Sequence, residues 1–193
     1  MNPRLIFSLF VAAVIAQLAV PLGQIRKYED ILRTGETYKF RTAPVDPYDA
    51  FRGRYVALNY ADTVAELRQD ENLESHAPAY VRLLRDETGF AQYGEISGEP
   101  PGKGDFLRVE YLNATGSGPA AANFRLPFDR FFMEETKAPR AEAAYRKYGN
   151  RRGPPGGDTY VLVRVKDGRG VIEDLFIDGK PVGEFLAAEA TGR

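Results

Sequence analysis

Residues 158–182 read DTYVLVRVKDGRGVIEDLFIDGKPV. Val161, Val163 and Val165 recur at the two-residue period of a strand with one buried face. KDGRG, 166–170, supplies a turn, and Asp178-Gly179 supplies a second. The stretch therefore reads as a strong hairpin.

Other segments follow the same pattern. ETYKFRTAPVDPYDAFRGRYVALNY, 36–60, reads as two strands around a turn, because Pro44 and Pro47 cannot sit inside a ladder and Asp46 and Asp49 suit a turn. AYVRLLRDETGFAQYGEIS, 79–97, reads as strand, turn at Asp86–Gly89, and strand. GDFLRVEYLN, 104–113, alternates again. TKAPRAEAAYRKYG, 136–149, is Ala-rich, with Pro139 near the start of a helix and Gly149 just past its end, and reads as that helix. NRRGPPGGD, 150–158, reads as a loop. Many short strands with a single crossover-length helix predict an antiparallel barrel or sandwich, mostly β with one or two helices.

The N-terminus is different. From Leu5 to Leu22 eighteen residues carry no charge, and only Ser8 and Gln17 are distinctly polar. As a helix this run spans about 27 Å, close to the ~30 Å hydrocarbon core of a bilayer. A cleaved signal peptide is the competing reading, with VIA before Gln17 as its cleavage site. The run continues through Leu18 to Val20, which favours a retained anchor spanning the bilayer with residues 5–22. Ile25, Tyr28, Ile31 and Leu32 extend the helical pattern, and Gly35 stops it. The expected organisation is an anchor and juxtamembrane helix over 1–34, a β-rich body over 35–186, and a disordered tail over 187–193. Arg4 precedes the run, and Arg26, Lys27 and Arg33 follow it, so charge alone does not orient it. A short leading tail before a large domain places the body outside the cytoplasm.

Composition excludes several classes. With 26 basic and 27 acidic residues the net charge is −1, which gives no field to hold a nucleic acid. No Cys is present, so disulfides, thiolate nucleophiles and sulfur-bound zinc are out. The one His, His76, reads as a solvated loop residue. No phosphate-loop or dinucleotide fingerprint appears, and no cofactor is expected. Ser75, Ser97 and Ser117 lack a paired lysine motif.

Three charged groups are candidate sites. Glu134 and Glu135, with Asp129 or Glu142, could form the carboxylate pair of a polysaccharide hydrolase. Arg130, Lys137 and Arg140 interleave with them, so an ion-paired face explains the same residues. Arg146, Lys147, Arg151 and Arg152 could meet an anionic surface, or simply end a helix. Asp46, Asp49, Asp62 and Glu66 match no EF-hand, and turn chemistry accounts for the aspartates.

FRGRYVALNY, 51–60, carries the most distinctive pattern. On a strand Val56, Leu58 and Tyr60 face one way, and Tyr55, Ala57 and Asn59 the other. GDFLRVEY, 104–111, shares its grammar with GRYVALNY, 53–60, and suggests an internal duplication. PVDPYDAFRGRYVALNY, 44–60, resembles the signature of the GDYXXLXY family. Gly53, Tyr55, Leu58 and Tyr60 match it, while Arg54 stands where the family has Asp. FDRFFMEETKAPRAEAAY, 128–145, is similar to that family's Phe-x-x-Glu element. The resemblance implies an uncharacterised membrane-anchored bacterial protein, single-pass in the inner membrane, associated with a multi-pass membrane protein. Gly53, Leu58 and Tyr60 would be structural. Arg54, Tyr55, Glu134 and Glu135 would line a binding surface. No catalytic residue, metal ligand or cofactor is implied.

Overall fold

The computed structural model describes residues 3–43, 55–60, 63–69, 71–115, 121–149 and 159–191. The elements in order are α1 (Pro3–Thr34), β1 (Glu36–Ala43), β2 (Tyr55–Ala57), β3 (Asn59–Tyr60), β4 (Val64–Leu67), β5 (Pro78–Arg85), β6 (Ala91–Ser97), β7 (Phe106–Thr115), β8 (Ala121–Arg125), β9 (Arg130–Phe132), α2 (Ala138–Gly149), β10 (Thr159–Lys166), β11 (Arg169–Ile177), β12 (Lys180–Pro181) and α3 (Val182–Thr191). The strands form a closed barrel, β4-β6-β5-β7-β8, an open sheet, β12-β11-β10-β1-β3, and a two-stranded sheet, β2-β9. The mostly-β expectation holds, and the body contains a barrel. Among the described strand pairs one departs from the antiparallel expectation: β4 runs parallel to β6 through Glu66↔Glu95 and Leu67↔Ile96, and this pair closes the ring.

Alternation places the core. On β10, Thr159, Val161, Val163 and Val165 are buried and the residues between them half-buried. The hairpin to β11 turns at Asp167 and Gly168, with φ of 50° and 75°, the left-handed pair of a two-residue turn. A Cβ on Gly168 would lie 2.6 Å from the Phe106 ring, so glycine also lets this turn lie against the barrel. There the Arg108 amide donates to the Gly168 carbonyl at 2.8 Å and joins the two sheets. Inside the barrel, Val81, Ile96, Leu107, Ala122 and Phe124 are at most 1% exposed, so side chains fill the ring. Phe40 sits where sheet and barrel meet, with ring centroids 5.2 Å from Phe128 and 6.3 Å from Tyr60 and from Tyr93.

The helices follow from their stripes. On α2, Ala138, Ala141, Ala144 and Tyr145 are buried. On α3, Val182, Phe185 and Leu186 are buried, and Phe185 meets Tyr148 of α2 edge-on at 5.2 Å. This apolar i, i+3, i+4 set keeps α3 helical through Thr191, within the stretch expected as a tail from 187. α1 is one helix of 32 residues with Pro21 inside it. It is long and apolar enough to cross a membrane. Its last turn rests on the body. Ile31 is buried, and Lys166 donates to Asp30 Oδ2 at 2.6 Å and to Thr34 Oγ1 at 2.8 Å. A Cβ on Gly35 would stand 2.5 Å from the Ile31 carbonyl and 3.0 Å from that of Val165. Glycine is therefore what lets helix and sheet meet so closely.

One carboxylate opposes the fold at neutral pH. Burial, and the nearby Glu173 and Glu184, push the Asp174 carboxyl above its ordinary value, while the Leu175 amide opposes the shift. Such a group binds protons more readily folded than unfolded. Its charge penalises the fold above the raised pKa, and the penalty is gone below the ordinary 3.8. Asp174→Asn keeps the acceptor for Leu175. The variant is expected to melt roughly 1–2 °C higher at pH 7, a modest gain for a partly solvated group, and to match the parent near pH 3. Thermal scans at both pH values check this.

Candidate functional site

Residues 55–60 carry the chain from one sheet to another. Tyr55, Val56 and Ala57 pair with Phe132, Phe131 and Arg130. Leu58 breaks the ladder, with its amide donating to the Asp129 carbonyl at 2.8 Å. Asn59 and Tyr60 then pair with Ala43 and Thr42 of β1. Val56 is 0% and Leu58 6% exposed, so the inward face is as the alternation predicts. The Tyr60 hydroxyl donates to the Phe128 carbonyl at 2.7 Å. Burial, reinforced by Tyr145, Tyr93 and Asp129, pushes its phenol far up, so it remains a donor at any physiological pH. The Tyr145 hydroxyl likewise donates to the Ala43 carbonyl at 2.8 Å. Tyr60→Phe leaves the Phe128 carbonyl without that donor and is expected to cost about 1–3 kcal/mol, read from denaturant unfolding with an unchanged slope.

The outward face is aromatic and cationic. The Tyr55 ring packs on Phe132 at 5.6 Å, and the Arg130 guanidinium stands 5.2 Å from the Tyr55 ring centre. Phe132 is 68% exposed, more than any other large apolar side chain outside α1 among the described residues. Sequence reasoning did not single it out. Its signal lay in RFF, 130–132, where two adjacent phenylalanines on a strand must face opposite ways.

Glu134 and Glu135 lie just beyond this patch. The Glu134 carboxylate takes Lys137 at 2.6 Å and the Thr136 hydroxyl at 3.1 Å. The Lys137 contact foremost, then Thr136, hold its pKa below the usual range. It is therefore ionised at neutral pH, the wrong state for protonating a leaving group. Asp129 pairs with Arg130 at 3.5 Å. Two clefts border Asp129. One, of about 300 Å³, is lined by Leu58, Tyr60, Phe124 and Arg125. The other, of about 450 Å³, is lined by His76, Arg108, Glu110 and Arg125. Neither includes Glu134, Glu135 or Glu142.

His76 is a solvated turn residue, as expected, with its side chain 69% exposed, and it also has a charged partner. It takes a left-handed φ of 65°, and its Nδ1 lies 2.5 Å from Glu110 Oε1. Arg125 meets the other Glu110 oxygen at 3.0 Å. The His76 contact first, with Arg125, holds the Glu110 carboxyl below its ordinary value. The partners are 34 residues apart in sequence, so spacing carried no signal of this contact. Among the described residues no three His, Asp or Glu side chains converge as a metal site.

Residues 17–175 match the family model described as GDYXXLXY protein. The chain belongs to the GDYXXLXY family. In this GDYXXLXY protein the match starts inside α1 and ends on β11, so it takes in the last turns of α1, the barrel, the signature and α2. No curated protein and no solved structure matches the chain.

The GDYXXLXY motif acquires distinct physical roles residue by residue. Tyr55 covers Phe132 on the outside, Leu58 plugs the core where the chain changes sheets, and Tyr60 caps the Phe128 carbonyl from within. Gly53 and Arg54 lie outside the described residues, as do Asp46, Asp49, Asp62, Arg151, Arg152, Ser117 and the loop 150–158.

Proposed function

We propose that this GDYXXLXY protein is a membrane-anchored accessory domain that works by binding another envelope protein, a multi-pass membrane protein. α1 would hold it single-pass in a bacterial inner membrane, with the body on the periplasmic or exterior side. The observation that carries the reading is the exposed Phe132, backed by Tyr55 and Arg130. Aromatic residues and arginine are the side chains that dominate binding energy in protein interfaces. Glu134 and Glu135 would form a polar rim beside that anchor, and Arg54, next to Tyr55 in the sequence, is proposed to take part in the same binding. An anchor shared with the partner's membrane supports a modest patch as sufficient, because confinement raises the local concentration of the domain. The ionised, lysine-paired Glu134 weighs against a hydrolase built on Glu134 or Glu135 with Asp129 or Glu142.

The test is crosslinking in intact membranes, followed by identification of the captured protein. The parent chain is expected to capture one multi-pass protein. Phe132→Ala with Arg130→Glu is expected to reduce that capture at least tenfold while the melting temperature stays close to the parent's. An undiminished yield from the variant, or a parent chain that captures nothing, sinks the reading.

A further inference from the structure

We infer that the groove between α1 and the β10–β11 turn binds the phosphate of an anionic phospholipid headgroup; this rests on the anchor reading of α1. The groove holds about 340 Å³. Lys27 and Tyr28 line it from the helix, Arg108 from the barrel, and Gly168 and Arg169 from the hairpin. It gathers three cations and no carboxylate. Among the described residues no acidic side chain pairs with Lys27, Arg108 or Arg169. Their nearest acidic neighbours on the helix are engaged elsewhere, Glu29 with Arg33 at 3.7 Å and Asp30 with Lys166 at 2.6 Å.

Place selects the occupant. The groove's helical wall runs from Gln24 to Ile31. At 1.5 Å per residue it starts about 3 Å beyond Leu22 and ends about 14 Å beyond it. The headgroup layer occupies roughly the first 5–8 Å outside the hydrocarbon. The mouth therefore opens where lipid phosphates lie. Tyr28, half-exposed on this wall, is the residue type that favours that level. Two arginines offer planar, bidentate donors to phosphate oxygens, and Lys27 adds a point charge. A soluble phosphate would satisfy the same donors, but only a lipid presents one at this height without a search from bulk.

The test uses the full chain in nanodiscs of phosphatidylcholine alone and of phosphatidylcholine mixed with phosphatidylglycerol. Native mass spectrometry then reads which lipids stay bound on release. The parent is expected to retain phosphatidylglycerol over phosphatidylcholine. Lys27→Gln with Arg108→Gln and Arg169→Gln is expected to weaken that retention on the order of a hundredfold, about fivefold per charge. Arg146→Gln with Lys147→Gln, on α2, is expected to leave it unchanged. Equal retention of the two lipids, or a triple variant that behaves like the parent, overturns the assignment. So does displacement of the lipid by inorganic phosphate at equal concentration, which makes the ligand a soluble anion. A chain that fails to enter the nanodiscs overturns the anchor reading and the groove together. Entry without headgroup preference overturns the groove alone.

Discussion

Phe40→Ala is expected to destabilise the body by about 3–5 kcal/mol. Phe40 is 1% exposed and stands among the rings of Tyr38, Tyr60, Tyr93 and Phe128, at the seam between the open sheet and the barrel. Truncation removes the ring and leaves a cavity that neighbours on three different strands cannot jointly close. For a chain of this size the melting temperature should fall by roughly 6–20 °C. Phe132→Ala is the internal control. It removes the same atoms from a side chain that is 68% exposed, and should change stability by about 0.5 kcal/mol or less. Parallel thermal scans of the two variants decide the matter. Similar falls in both would mean that the seam is not the centre of the core.

A chain beginning at Gln24 is expected to leave the lipid fraction entirely while keeping its melting temperature. Eleven large apolar side chains between Leu5 and Leu22 lie exposed on α1. Burying each in hydrocarbon contributes about 1.5–3 kcal/mol, so the run supplies roughly 15–30 kcal/mol of gross driving force. The three groove cations supply about 1 kcal/mol each, which is marginal and salt-sensitive by comparison. The contacts that seat α1 on the body, through Asp30, Ile31 and Thr34, all survive the truncation. Flotation of parent and truncated chains on lipid gradients reads the result. A truncated chain that still floats would show that the body holds the membrane unaided.

Much of this architecture is written in short-range pattern. Val161, Val163 and Val165 announce their own burial, Asp167-Gly168 and Asp178-Gly179 announce their turns, and Val56 and Leu58 their inward face, because a strand's period and a turn's dihedral angles are local properties. What pairs with what is not local. Leu58 reads as one more strand residue, yet it is where the chain leaves β9 for β1, since both partners lie far off in sequence. The parallel closure of β4 on β6 is hidden for the same reason. GDFLRVEY and GRYVALNY share a grammar but not a setting. The first opens a ten-residue barrel strand, and the second is split between two sheets. At the candidate site, Tyr55 was legible from the motif, whereas Phe132 acquires its meaning only by lying directly across from it.

The join at Gly35 has a mechanical corollary. No slack chain separates α1 from the body: Gly35 donates to the Ile31 carbonyl at 2.8 Å, and β1 starts at the next residue. Once α1 is embedded, the head cannot swing or stretch. It can spin about the helix axis and lean only as far as the helix leans. The Tyr55–Phe132 patch would then sweep a ring of constant altitude, and any companion must offer its receptor within that ring. Inserting a few flexible residues after Thr34 would enlarge the swept volume while spoiling the altitude, trading a narrow target for a loose one.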